Sequence, residues 1–180
     1  MSVDASLLPE LPEGRVLPVV RAPAHVLSGP GAEVDPLDPA VVQLAADLLA
    51  TQRVSPGCVG LAAPQVGVGW RLFSLDVTGH PKARTVHGPV VLANAEVVEA
   101  SRWEKGREGC MSVPDLTGDV RRAGRVLVSG VVPGTGERLE VRTDAFEARA
   151  YQHEIDHCAG LLFLDRVAGA HAIHQRKTYL

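Results

Sequence analysis

Two histidines four residues apart on the buried stripe of a predicted helix constrain this chain more than any other feature. They stand in Gln152-His153-Glu154-Ile155-Asp156-His157. The spacing predicts a helix that begins at Thr143 or Asp144, with Glu147 three residues past Asp144 as in a capping box, and stops at Gly160. On that helix Phe146, Ala150, His153 and His157 share one face, so the imidazoles continue an apolar stripe. A helix whose histidines point inward has to lie at the centre of the fold, with other elements wrapped around it. Side chains at i and i+4 sit one turn apart, so both rings can reach a single metal ion. Glu154, beside the first, can then act as a general base without being a ligand. The plainer alternative is a pair of hydrogen-bonded histidines buried in a helix.

The remaining pattern predicts strands around that helix. Asp38 suits an N-cap with Pro39 at the first helical position, and Val41, Leu44, Ala45, Leu48 and Leu49 follow helical spacing to about Gln52. Trp70 to Val77, Val90 to Val98, Arg125 to Val132 and Arg138 to Arg142 read as strands, with a hairpin turn at Pro133-Gly134-Thr135-Gly136. This is an α+β arrangement. Residues 1–15, rich in proline and acidic groups, read as a flexible N-terminal arm, and residues 16–180 as a single domain.

Composition excludes several classes. With 180 residues, 46% hydrophobic and 22% charged, the chain can bury a core of its own. A formal charge of −3 and the lack of a dense basic run predict no direct binding to nucleic acid or to an anionic membrane. No apolar run approaches the roughly 20 residues that span a bilayer. Met1 to Arg15 carries Asp4, Glu10 and Glu13 without an apolar core, so a secretory leader is not expected. Three cysteines, Cys58, Cys110 and Cys158, cannot all pair within the chain, and reduced thiols in the cytoplasm are the simplest expectation.

Catalytic metal sites of the zinc type use three protein ligands and leave one position open. Cys110, in Glu108-Gly109-Cys110-Met111-Ser112, is the candidate third ligand, although a lone cysteine is often only a small buried apolar residue. Cys58 and Cys158 have no better assignment than packing. The segment Gly60-Leu61-Ala62-Ala63-Pro64-Gln65 could be a simple tight turn. Amide hydrolysis, however, passes through an oxyanion that needs preorganised donors. The Gln65 side-chain amide and the backbone N–H of Met111 are suitable ones.

These three segments together, in this order, resemble the signature set of the peptide deformylases, metal hydrolases that remove the N-formyl group from new polypeptides. The resemblance runs from about Leu17 to Val167. It implies antiparallel sheets surrounding the motif helix, and one divalent metal ion: iron(II) first, with zinc, nickel or cobalt as alternatives. By match to the motifs, Cys110, His153 and His157 would be the ligands, Glu154 the general acid and base, and Gln65 with the Met111 amide the oxyanion hole. Val59, Gly60 and Leu61 would take up an N-formylmethionyl peptide of a nascent chain as an added strand, with transient contact to the ribosome. Around the ligands, Glu108 is expected to pair with Arg122, and Asp156 to orient a histidine.

The wording departs from the family at four places. Cys58 and Ala95 stand where Gly and Pro are usual, and Met111 and Cys158 each where Leu is usual. None removes a catalytic group, but a side chain at 58 could narrow the groove. Two other readings compete. A metallopeptidase would take a downstream third ligand, for which Asp165 and His171 are candidates, and would leave Cys110 and Gln65 without a role. A catalytically silent relative would have lost Glu154, Gln65 or a ligand, and all are present.

Overall fold

The structure, a computed structural model, describes residues 7–177. Helix α1 (Pro39–Val54) starts at Asp38, whose carboxylate accepts the Ala40 N–H at 2.8 Å. That bond satisfies one of the donors a helix start leaves open. Its Leu44, Ala45, Leu48 and Leu49 pack on Leu61, Leu72 and Val91. Of the expected arm, residues 1–6 lie outside the described residues. Residues 7–15 run along α1: Leu8 and Leu11 pack against the same cluster, and Arg15 reaches the buried Asp47 at 2.9 Å.

Six antiparallel strands form one sheet: β1 (Gly60–Ala62), β2 (Leu72–Leu75), β3 (Val90–Cys110), β4 (Val113–Val131), β5 (Arg138–Asp144) and β6 (Ile173–Gln175). Strands β1 to β5 lie in chain order, and β6 joins the side of β4 at Leu116–Gly118. Strand β1 is therefore an edge. The α+β architecture of antiparallel strands around a central helix agrees with expectation. Strands β3 and β4 are far longer than their apolar stretches predict. They form a ribbon paired from Ala93↔Val131 to Cys110↔Val113, with register shifts at three places. Most of Glu96–Arg107 is exposed and half of its residues are charged, so no apolar alternation marks it. Ladder hydrogen bonds to β4 set its conformation instead.

Helix α2 (Ala145–Cys158) lies between this ribbon and the β1–β2 edge. Ala148 and Tyr151 join Phe73, Leu75, Leu92, Val126 and Val128 in the second half of the core, with the Tyr151 ring edge-on to Phe73 at 6.1 Å. Burying each large apolar side chain contributes about 2 kcal/mol. The helix ends as expected at Gly160, with φ +81°. A Cβ there would meet the Gly29 backbone at 2.6 Å, so glycine is required twice over. Among the described residues no helix is long and apolar enough to cross a membrane.

The predicted capping box does not form. Asp144 makes no cap bond and instead accepts the Thr85 hydroxyl at 2.9 Å. Glu147, fully buried, accepts the Thr143 hydroxyl at 2.5 Å, the His87 backbone N–H at 2.9 Å and His87 Nδ1 at 2.7 Å. Glu147 thus fastens the loop before β3 to the first turn of α2, a long-range use that outcompetes the local one. The Glu147 hydrogen bond raises the His87 pKa against the opposing effect of burial. A raised histidine pKa adds stability that is complete below its unfolded value, near 6.5, and fades as pH rises through the folded value. The stability lost in His87→Asn, measured by urea unfolding against the parent protein, should therefore be larger at pH 5.5 than at pH 9. An equal loss at both would show that the His87 charge contributes nothing.

Candidate active site

The long ribbon and α2 meet at the end of β3. Side chains two apart on a strand share a face, so Glu108 and Cys110 both point at the helix. Helix α2 answers with His153 and His157. Cys110 Sγ lies 3.3 Å from His157 Nε2, which lies 3.1 Å from His153 Nε2, and the three ligand atoms fall within 4.8 Å of one another. Ligands about 2.0–2.3 Å from a tetrahedral ion sit roughly 3.3–3.6 Å apart, so the cluster needs only small adjustments to accept one. It is the one such group among the described residues.

Charge around the cluster also favours a cation. Glu108 Oε1 lies 2.8 Å from His153 Nδ1. An ionised carboxylate only accepts hydrogen bonds, so Nδ1 carries a proton and Nε2, the nitrogen that would give its lone pair to an ion, faces Cys110 and His157. Burial opposes the charge on Glu108, but His153 and Arg122 hold its carboxyl well below the usual range. Burial likewise opposes charge on His153, yet Cys110 and Glu108 carry its pKa well upward. His157 is pushed well down, by burial and then by His153, and so keeps a lone pair to give. Positive charge is wanted at this point and two imidazoles cannot both supply it. The donor set fits a divalent ion.

The predicted Glu108–Arg122 pair is present as a two-pronged contact at 2.8 and 3.0 Å. Asp156 requires a correction. It does not orient a histidine but accepts Arg122 at 2.6 Å and Arg166 at 2.8 and 3.0 Å, because it leaves α2 on the face away from the rings. Glu108 is the carboxylate that holds an imidazole. Sequence reasoning missed Arg149, which adds a third cation contact to Glu108 at 2.8 Å. Its signal was available: an arginine one turn before His153, on the inward stripe of the helix. Arg166 carried no comparable signal, since it lies beyond the helix in an irregular segment.

Glu154 is 3% exposed and leaves Oε2 without a hydrogen-bond partner. Burial pushes its pKa up to about 7, against the pull of His153 and Arg122. A carboxyl near that value can both take and return a proton at neutral pH. Gln65 sits in a 3-10 turn (Ala63–Val66) directly after β1. Its Oε1 accepts the Ala62 N–H at 3.0 Å, which turns Nε2 toward Cys110 Sγ at 3.4 Å and Ser112 Oγ at 3.3 Å. The amide donor is thus aimed and fixed before anything binds. Met111 follows Cys110 in the two-residue reversal between β3 and β4, beside a cavity of about 620 Å³ that Gln65, His153 and Glu154 also line. Val59 and Gly60 also line that cavity, whereas Leu61 is fully buried and its side chain packs in the core. Asp165 and His171 lie outside the cluster. Asp165 caps the Leu162 N–H at 2.8 Å, and His171 is exposed in a 3-10 turn.

Residues 16–172 match the family described as Polypeptide deformylase. A peptide deformylase of Symbiobacterium thermophilum is 38% identical over 152 residues, covering 84% of this chain and 66% of that one. One from Desulforudis audaxviator is 40% identical over 163 residues, covering 90% and 98%. Among solved structures, the Met-Ala-Ser-bound class I type b peptide deformylase of Acinetobacter baumannii superposes with a TM-score of 0.76 at 36% identity, covering 84% of this chain and 99% of that one.

Gly60 owes its identity to this geometry. A Cβ there would fall 2.6 Å from Glu154 Oε1. Gly60→Ala should therefore displace the carboxyl and lower turnover about a hundredfold, the scale of an ångström-sized misplacement, with folding and metal content unchanged. Parent-like turnover in a metal-replete variant would show that the Glu154 position is not critical.

Proposed function

The chain belongs to the polypeptide deformylase family, and we propose that it carries out the family's reaction with Cys110, His153 and His157 holding one divalent ion. It is a hydrolase that removes the N-formyl group from nascent polypeptides. The observation that carries the residue assignment is the convergence of one thiol and two imidazoles on a single buried point, with Glu154 beside them.

When bound, the ion supplies Lewis acidity toward water and toward a carbonyl oxygen. Glu154 takes the proton of the attacking water at its free carboxylate oxygen, and later hands it to the departing amine. The Gln65 amide and the Met111 N–H donate to the charge that gathers on the formyl oxygen. Glu108, with its arginines, keeps His153 in the tautomer that leaves Nε2 free. Val59 and Gly60, on the open edge of β1, accept the peptide backbone as an additional strand. Leu61 contributes only by holding β1 in place, since its backbone pairs with Ser74 of β2 and its side chain packs in the core. The products are formate and a free N-terminus.

The substrate in this reading is an N-formylmethionyl peptide. The Met-Ala-Ser complex of the Acinetobacter enzyme supports a peptide in the groove. Iron(II) is the native ion, while the Cys/His/His set also accepts zinc, nickel or cobalt. The enzyme acts in the cytoplasm, meeting nascent chains in brief contact with the ribosome.

Metal analysis paired with formate release tests these roles. Cys110→Ala should lose tight metal binding, and one retained equivalent would remove Cys110 from the ligand set. Glu154→Ala should keep the ion yet turn over at least about a hundredfold more slowly. Gln65→Leu should lower the maximal rate by about 10²-fold; a change confined to KM would make Gln65 a binding residue. With iron, activity should decay in air and persist under argon, because the ion and the thiolate are both oxidisable. Nickel-loaded protein should be stable in both.

A further inference from the structure

Cys58 stands immediately before the strand that receives the peptide. Its thiol donates to the Gly60 carbonyl at 3.2 Å. Which way that carbonyl points follows from the register of β1. The Asp76 N–H bonds the Val59 carbonyl at 2.8 Å, and Leu61 pairs with Ser74, so the Val59 carbonyl and both Leu61 backbone groups turn to β2. Backbone groups alternate along a strand, and Gly60 therefore turns its N–H and C=O to the open edge. The edge acceptor that an added strand needs is already occupied by a side chain of the enzyme.

We infer that Cys58 sets substrate affinity by competing with the incoming peptide N–H for the Gly60 carbonyl. The inference rests on the strand-addition reading given above. Docking exchanges one hydrogen bond for another: the peptide N–H takes the carbonyl, and the thiol swings into the adjoining cavity, which Cys58 also lines. Only the side chain has to move, because the Cys58 N–H is anchored to the Ser55 carbonyl at 3.2 Å. Burial pushes the Cys58 thiol up to about 12, so it remains a donor throughout the working range. A thiol is a weak donor, which suits a group that must yield to an amide. A glycine at 58 would leave the edge acceptor uncovered.

The test is steady-state kinetics of metal-loaded Cys58, Cys58→Ala and Cys58→Ser enzymes on formyl-Met-Ala-Ser and on analogues with each downstream amide N-methylated in turn. Removing the competitor should lower KM about threefold in Cys58→Ala. Supplying a better donor should raise it about threefold in Cys58→Ser, within the range of one hydrogen bond, and kcat should stay within about twofold. Serine is smaller than cysteine, so a role in simple crowding predicts the opposite shift for Cys58→Ser. A KM for Cys58→Ser at or below that of the parent enzyme overturns the inference. With the analogue that lacks the N–H facing Gly60, the three enzymes should share one KM, since nothing is left to compete; a persisting difference also overturns it. If no N-methylated analogue binds more weakly to any of the three, strand addition itself fails. If the analogues weaken but the Cys58 series is flat, only the role of Cys58 fails.

Discussion

The buried carboxylate of Glu108 is the contact on which the rest of this structure depends. It stands on β3 and gathers Arg122 from β4 and Arg149 and His153 from α2. An ionised carboxyl in the interior is expensive to desolvate, and only well-formed charged partners offset that penalty. Glu108 has three, so ribbon and helix can meet in only one relative position. Removing both arginines would leave the carboxylate without a permanent counter-charge, a loss on the order of 3–5 kcal/mol for a buried pair. Arg122 extends the chain of contacts through Asp156 to Arg166 and so fixes the back of the same helix.

That network explains how a candidate site residue comes to be aimed from a distance. The His153 tautomer is set by Glu108, which is set by two arginines on different elements. Gln65 is held by its own backbone neighbour, Ala62. In both cases the nitrogen that faces the cluster is oriented by bonds made at the other end of the side chain, the condition for groups that need no rearrangement when a ligand arrives.

What could be read from the sequence follows the range of the interactions involved. The Asp38 cap, the Gly160 stop and the inward stripe of α2 are local patterns, and the structure repeats them. The histidine pair was legible from its spacing on the inward stripe, whereas Cys110 was joined to it by the resemblance of its segment to the family. The outer half of β3 was not legible, since its exposed residues are ordered by partners far away in sequence. Glu147 misled for a related reason: its spacing from Asp144 suits a cap, but Thr143 and His87 offer it a better-satisfied buried position. Asp156 shows the limit of adjacency. One residue before His157 is the wrong side of a helix, and direction around the axis decided its partners.

The candidate ligands come from two distant stretches of chain, with Cys110 and His157 separated by 47 residues. An ion bound there acts as a cross-link that closes a loop running from the ribbon turn to the end of α2. Such a closure narrows the unfolded ensemble and exists only in the folded arrangement. Metal occupancy and resistance to unfolding would thereby be linked: an ion serving chemistry there would also be a clasp, and a chelator strong enough to take it would loosen the whole molecule.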